Sequence, residues 1–405
     1  MRHQLECIGC HALYPSTITE WSCSNCGDLL EIIYDSNDLR ESVDVSAWKS
    51  RPPSVWKYEQ LLPIDRASKK ITLGEGGTTL HKTSRLAESL GIRKLYVKNE
   101  GENPTGSFKD RGMTVGVSRA VEIDSKRVIC ASTGNTSASL GAYAAKAGIE
   151  CIVIIPEGKI ALGKLVQAIA HGARVIQIEG YFDDALKAVL SLARSNRELY
   201  LLNSVNPYRI EGQKTLAYEL WDQLEGNIPE TVIIPVGNAG NISAIWKGFQ
   251  DLRELDLIQR QPRMIGIQAM GASPITETFK AGRSEIIPVN HPETIATAIK
   301  IGSPASWKKA LRAVKDSDGI MEAVTDEEIL DAQRLLARLE GIFVEPASAS
   351  SVAGLKKLRD VGLVGADEVV TCIVTGHGLK DPEIALRMFE KPTNMNVTQL
   401  GRLLS

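Results

Sequence analysis

From about residue 70, short runs rich in Val and Ile recur along the chain, separated by stretches with helical spacing. No other feature limits the possible folds as strongly. The runs are Leu95–Lys98, Val128–Ala131, Cys151–Ile155, Arg174–Ile178, Leu199–Leu202, Val232–Val236, Met264–Gln268 and Val369–Val374. Helical spacing marks Ser137–Ala147, Phe182–Ala193, Arg209–Leu224 and Asn241–Leu255. Thr325 and Glu328 form a capping-box pair that opens a further helix ending near Glu340. Apolar strands without alternation are buried on both faces, and strands joined through helices run parallel. An α/β fold follows. Such folds bind ligands where a strand's carboxyl end passes into a helix, so those loops are where chemistry is expected.

Composition narrows the function classes. Lys plus Arg is 47 against 49 Asp plus Glu, a net charge of −2, which leaves no global basic footprint for nucleic acid. No apolar run approaches the roughly 18–20 residues a membrane span needs. Neither a nucleic acid nor a membrane is expected as a partner. The first ten residues lack the apolar core of a secretory signal, so a cytoplasmic location with reduced thiols is expected.

Residues 1–35 read as a separate unit. Cys7 and Cys10 form one CxxC pair, and Cys23 and Cys26 form another after twelve intervening residues. Each pair presents two thiolates at one corner of a tetrahedron, which suits zinc, and a unit this small needs such a staple to fold. Arg2 is the only Lys or Arg before Arg40, so a structural or docking role fits better than nucleic-acid binding. Residues 36–66, with Pro52-Pro53 and no sustained period, read as a linker.

Four strand-to-helix loops carry the polar chemistry. Asn103–Gly112 places Lys109 at the start of a helix, where the dipole favours a neutral amine of the kind that forms Schiff bases. Ala131–Ser137 offers small hydroxyls, an amide and helix N–H groups, a cradle for a carboxylate. Gly237-Asn238-Ala239-Gly240-Asn241 follows a strand and opens a helix, as a phosphate cradle would, although a plain turn explains such a loop about as often. Thr375-Gly376-His377-Gly378 ends the last predicted strand, with His377 read as structural. An amine, two anion cradles and a buried hydroxyl together suit a cofactor that carries both an aldehyde and a phosphate. Pyridoxal 5′-phosphate is such a cofactor.

These loops make the sequence similar to the fold-type II, or β-family, pyridoxal-phosphate enzymes (tryptophan synthase β-like), and among them to the threonine synthases. The likeness runs from about Leu73 to Leu386 and is most specific at Asn103–Gly112. Ser132–Thr136, Asn203–Arg209, Glu211–Thr215, Gly237–Asn241 and Thr375–Gly378 support it. The resemblance implies two parallel-sheet α/β domains with the cofactor between them, beside the zinc-ribbon-like segment. The larger domain would be 67–114 plus 205–405 and the smaller 115–204, and family members are commonly homodimers. It also implies site roles. Lys109 would bind the cofactor aldehyde and act as acid and base. Asn135 would bond the phenolic oxygen, Gly237, Asn238, Ala239, Gly240 and Asn241 would hold the cofactor phosphate, and Thr375 would face the pyridine nitrogen. Ser132, Thr133 and Thr136 would take the substrate carboxylate, and Asn203, Ser204 and Arg209 the substrate phosphate. Lys214 could add to the field there, and Glu345–Ser350 would wall the cofactor site. The implied activity is that of a carbon–oxygen lyase acting on phosphates, making L-threonine from O-phospho-L-homoserine.

Sibling enzymes are the nearest rivals. A cysteate synthase would act on phosphoserine and sulfite, and a threonine or serine dehydratase would need no second anion site. A non-catalytic zinc-ribbon binding protein would not need Lys109.

Overall fold

The computed structural model describes residues 3–157, 162–180 and 182–388. Among the described residues, thirteen strands make three sheets. At the N-terminus β1 (His3–Cys7), β2 (Leu13–Pro15) and β3 (Leu30–Tyr34) form a small antiparallel sheet in the order β2-β1-β3. Next come β4 (Leu80–Lys82) and β5 (Lys94–Asn99). A four-stranded sheet follows, from β6 (Arg127–Ala131), β7 (Glu150–Pro156), β8 (Arg174–Ile178) and β9 (Leu199–Leu201). It is parallel throughout, in the order β8-β7-β6-β9. The last strands are β10 (Thr231–Pro235), β11 (Arg263–Ala269), β12 (Ile320–Val324) and β13 (Val369–Val374). With β4 and β5 they form a six-stranded sheet in the order β12-β11-β10-β13-β5-β4, parallel except for the β4 edge.

The eight predicted apolar runs fall on β5–β11 and β13. The central ones are buried on both faces; every residue of β10 is buried. Helix 326–340 starts with the predicted capping box: Thr325 accepts from the Glu328 N–H, and Glu328 reaches back to the Thr325 N–H. The sequence reading missed β4 and β12, the two edge strands of the larger sheet, of which β12 is interrupted by Glu322, and the three short strands of the N-terminal unit.

Residues 36–66 differ from the expected linker. They carry helices Ser36–Ser42 and Val45–Ser50 and a 3₁₀ segment Val55–Leu61. Asp35 and Asp44 cap the two helices through their carboxylates. Trp48, Tyr58 and Leu61 are buried in the core of the larger sheet, with Trp48 stacked on Tyr218 at 6.2 Å. Elements of six or seven residues are too short to display a period, so the sequence pattern hid them.

A buried ion-pair network ties the six-stranded sheet to two helices. Arg111, in helix 109–122, donates through Nε and Nη2 to Glu100 at 2.6 and 2.7 Å. It donates through Nη1 and Nη2 to Glu219, in helix 207–223, at 2.7 Å each. Lys98 on β5 donates to the same Glu219 at 2.8 Å and to the Thr78 carbonyl at 2.6 Å. Two cations and two carboxylates balance. Removing one member of such a network exposes the full desolvation cost of its partner. Arg111→Met strands Glu100 without its cation and should lower unfolding stability by about 3–5 kcal/mol, read from the denaturant midpoint. A loss below about 1 kcal/mol would contradict the account.

Candidate active site

Helix Lys109–Glu122 begins at the carboxyl end of the six-stranded sheet. Its entry loop is pinned to the loop after β13: the Phe108 N–H donates to the Thr375 carbonyl at 3.0 Å, and the His377 N–H to the Gly106 carbonyl at 2.9 Å. Gly106 takes a left-handed φ of 84°, which a side chain would resist. Asp110 folds the same loop on itself, accepting from Thr105 N and Oγ1 at 2.7 Å each. It also accepts from Ser139 at 2.5 Å, which joins Lys109's loop to helix Asn135–Ala147. Burial pushes the Asp110 carboxyl up to about 6.

Lys109 is half-buried, with its amine 4.0 Å from the centre of the Phe108 ring. Burial lowers the amine to about 7, the Arg209 charge pushes the same way, and Glu345 opposes both. At neutral pH a large fraction is therefore the free base, as a Schiff-base lysine requires.

Asn135 opens its helix and donates from its amide nitrogen to both oxygens of Glu345, at 3.0 and 3.1 Å. Glu345 is 5% exposed, and burial raises its carboxyl while Asn135, Lys380 and Lys109 hold it down. Ser132, Thr133 and Thr136 are half-buried around the same helix start, whose N-cap Gly134 offers no side-chain cap. The helix N–H groups there are available to an anion. Thr375 is buried, and its hydroxyl lies 3.0 Å from that of Ser348. His377 accepts the Leu379 N–H on Nδ1 and caps a turn.

Gly237–Asn241 joins β10 to helix Gly240–Glu254. A Cβ at Gly237 would stand 3.1 Å from the Cα of Ile299, so any side chain there would need the neighbouring backbone to shift. Ala239 holds a left-handed φ of 66° and gives no side-chain cap to the helix. Asn238 receives the Ala305 and Ser306 N–H groups at 3.4 and 3.2 Å. Asn241 is buried, and neither end of its amide has a partner. Uncapped helix N–H groups and an orphaned buried amide are what a bound phosphate would satisfy, so the residues fit the cofactor's phosphate.

Arg209 comes from the first turn of helix Pro207–Gln223. It is 1% exposed, with Nη1 donating to the Leu202 carbonyl at 3.0 Å and Nε unpartnered. Among the described residues no carboxylate pairs with it. Burial without a counter-charge lowers the group to about 10. The Ser204 carbonyl lies 4.0 Å from the Cβ position of Gly240, which brings the Arg209 turn beside the Gly237–Asn241 loop. The amide of Asn203 is engaged at both ends by the Ala131 backbone, 3.0 Å each, and so braces the end of β6. Lys214 is buried and paired with Glu211 and Asp251 at 2.6 and 2.7 Å, so its charge is already balanced.

The sequence reading placed Glu345 only in a wall of the cofactor site, and it gave no role to the Asp110 carboxylate or to Lys380, which donates to the Thr105 carbonyl at 3.0 Å and to Gln167. A Glu directly before Pro346 at a helix start was the only available signal.

The four cysteine sulfurs lie within 4.8 Å of one another, and no cysteine is in a disulfide. Cys7 and Cys26 are 3.4 Å apart, and Cys10 and Cys23 are 3.5 Å apart. The Gly9 and Asn25 N–H groups point at the first sulfur of each pair, at 3.4 and 3.3 Å. Sulfurs on a tetrahedral zinc stand about 3.8 Å apart, given Zn–S near 2.3 Å, so the donor set fits that metal.

The lysine shift has a consequence for stability. Unfolded, the Lys109 amine returns to about 10.5. Between the two values the unfolded chain binds more protons, so the burial cost is largest at and below about pH 7 and fades as pH rises toward 10.5. In cofactor-free protein, Lys109→Met should raise Tm at neutral pH and lose that gain as pH approaches the upper value. A gain that grows with pH would contradict the assignment.

Residues 71–376 match the family described as pyridoxal-phosphate dependent enzyme. The threonine synthase of Methanocaldococcus jannaschii is 57% identical over 403 residues, covering 98% of each chain. That of Methanosarcina acetivorans is 55% identical over 96% of this chain and 95% of its own. Among solved structures, maize serine racemase superposes with a TM-score of 0.66 at 23% identity, over 77% of this chain and 91% of that one, a likeness of fold. The chain belongs to the pyridoxal-phosphate-dependent enzyme family and, within it, to the threonine synthases.

Proposed function

We propose that the chain converts O-phospho-L-homoserine and water into L-threonine and inorganic phosphate. One observation carries the reading. Arg209 is fully buried, has no acidic partner among the described residues, and lies beside a separate phosphate-type helix start. A buried guanidinium without a counter-charge is costly unless an anion arrives to meet it. A dehydratase has no use for that second anion site.

Pyridoxal phosphate, when bound, supplies an aldehyde that joins to amines and a ring that takes up an electron pair. The chain's own residues do the rest. Gly237–Asn241 binds the cofactor phosphate through N–H groups and the Asn241 amide. The Lys109 amine, near neutral at physiological pH, takes the proton from the substrate α-carbon and returns protons later. Asn135, oriented by Glu345, bonds the cofactor's phenolic oxygen. Thr375 offers the ring nitrogen a neutral hydroxyl, which makes the electron sink milder than an acidic partner would. Ser132, Thr133, Thr136 and the helix N–H groups behind them orient the substrate carboxylate. Arg209 and Ser204 hold the leaving phosphate, with Asn203 fixing their turn. Domains of 67–114 plus 205–405 and of 115–204 would close around the substrate and exclude water until phosphate has left. The four-stranded sheet, confined to residues 127–201, supports that division. Zinc on Cys7, Cys10, Cys23 and Cys26, a homodimer and a cytoplasmic location complete the proposal. Unpaired cysteines support the location. No described helix is long and apolar enough to cross a membrane.

Purified enzyme given O-phospho-L-homoserine should release threonine and phosphate in equal amounts. Phosphate release only from phosphoserine with sulfite would move the assignment to a cysteate synthase. Arg209→Gln should raise KM for the phosphorylated substrate by about 100-fold, since it removes charge-assisted bonds to the phosphate. Elemental analysis should find one zinc per chain, lost in Cys7→Ser; a metal-free wild-type protein of equal Tm would contradict the zinc site.

A further inference from the structure

The cysteine unit is bolted to the turn that carries Arg209. Cys7, Cys23, Leu5, Leu30 and Ile32 share one buried core with Val115 of helix 109–122 and Tyr208 of helix 207–223. The Tyr208 hydroxyl lies 3.0 Å from the His3 ring nitrogen and donates to the Ser16 carbonyl at 3.3 Å. Arg119 covers the Tyr208 ring at 4.9 Å and donates to the same Ser16 carbonyl at 2.6 Å. One turn on, Glu211 accepts from the Tyr34 hydroxyl at 2.5 Å, and Lys247 links Glu211 to the Ile32 carbonyl. Tyr208 and Glu211 are three apart and share a helix face, and both are gripped by the N-terminal unit. Arg209 lies between them in sequence and leaves on another face, where its side chain runs over Gly112 and Gly116 of the Lys109 helix.

We propose that the metal-held N-terminal unit, through Tyr208 and Glu211, is a positioning device that sets Arg209 for the substrate phosphate. The metal then acts on affinity for phosphate and leaves the chemistry at Lys109 alone. The inference rests on the reading of Arg209 as the substrate-phosphate ligand. A displaced guanidinium loses bidentate geometry steeply with small shifts, so the effect belongs in KM.

The test uses holoenzyme with the metal loaded, stripped by a chelator, and restored with zinc. Calorimetry reads the Kd for inorganic phosphate, and steady-state kinetics read KM and kcat. Stripping should raise phosphate Kd and KM together by about tenfold, leave kcat within about twofold, and leave cofactor affinity unchanged, with zinc reversing the change. Equal phosphate Kd in folded stripped and loaded enzyme would overturn the proposal, as would a fall in kcat at constant KM. If the stripped protein unfolds, Tyr34→Phe keeps the ring and deletes the hydroxyl bonds to Glu211 and to the Leu61 carbonyl. It should raise phosphate Kd severalfold, and an unchanged Kd overturns the proposal. Arg209→Gln separates the two levels. If it leaves phosphate Kd intact, the reading of Arg209 itself has failed, whatever stripping does.

Discussion

The double fork of Arg111 is the contact on which the site's geometry depends. One guanidinium holds Glu100 at the end of β5 and Glu219 in the middle of helix 207–223, and it does so two residues after Lys109. The Lys109 helix and the Arg209 helix are thereby locked together by charge-assisted bonds in a dry interior, where such bonds are strong and their loss is costly. Gly212 sharpens the approach, since a Cβ there would stand 1.8 Å from the Arg111 carbonyl. The helices that carry Lys109 and Arg209 keep a fixed relation as a result.

Against this balanced network, Lys109 and Arg209 at the site, and Lys309 away from it, lack an ion-pair partner among the described residues. Lys98, Arg111, Lys214 and Lys247 each meet a carboxylate. Lys109 and Arg209 do not form such pairs, and burial pulls both amine and guanidinium below their ordinary values. The Arg209 charge also lowers the Lys109 amine. In the proposed reaction an incoming dianion would balance the charge at Arg209, and a neutral amine at Lys109 is what Schiff-base chemistry uses.

Much of this was readable in the sequence because it rests on local pattern. The central strands show as unbroken Val and Ile runs since both faces are covered, and the loops at their ends carry the polar residues in contiguous stretches. The Cys7–Cys26 set is legible from spacing alone, and the sulfurs do converge. What the pattern concealed depends on partners distant in the chain. Trp48 and Tyr58 belong to elements too short for a period, and their burial is decided by Tyr218. Asn203 looks like a ligand from its neighbours, yet its amide is engaged by Ala131, 72 residues away. Glu345 joins the site through Asn135, 210 residues away, and through its charge near Lys109. No local signal separates such a carboxylate from an ordinary helix start.

The central claim is that the chain holds two distinct phosphate sites, one at Gly237–Asn241 for the cofactor and one at Arg209 for the substrate. Phosphorus NMR of holoenzyme titrated with inorganic phosphate addresses it directly. The account predicts one resonance from the cofactor, present throughout, and a second that saturates with added phosphate and disappears in Arg209→Gln while the first is unchanged. A single bound resonance at saturating phosphate, or a second one indifferent to Arg209→Gln, would contradict it.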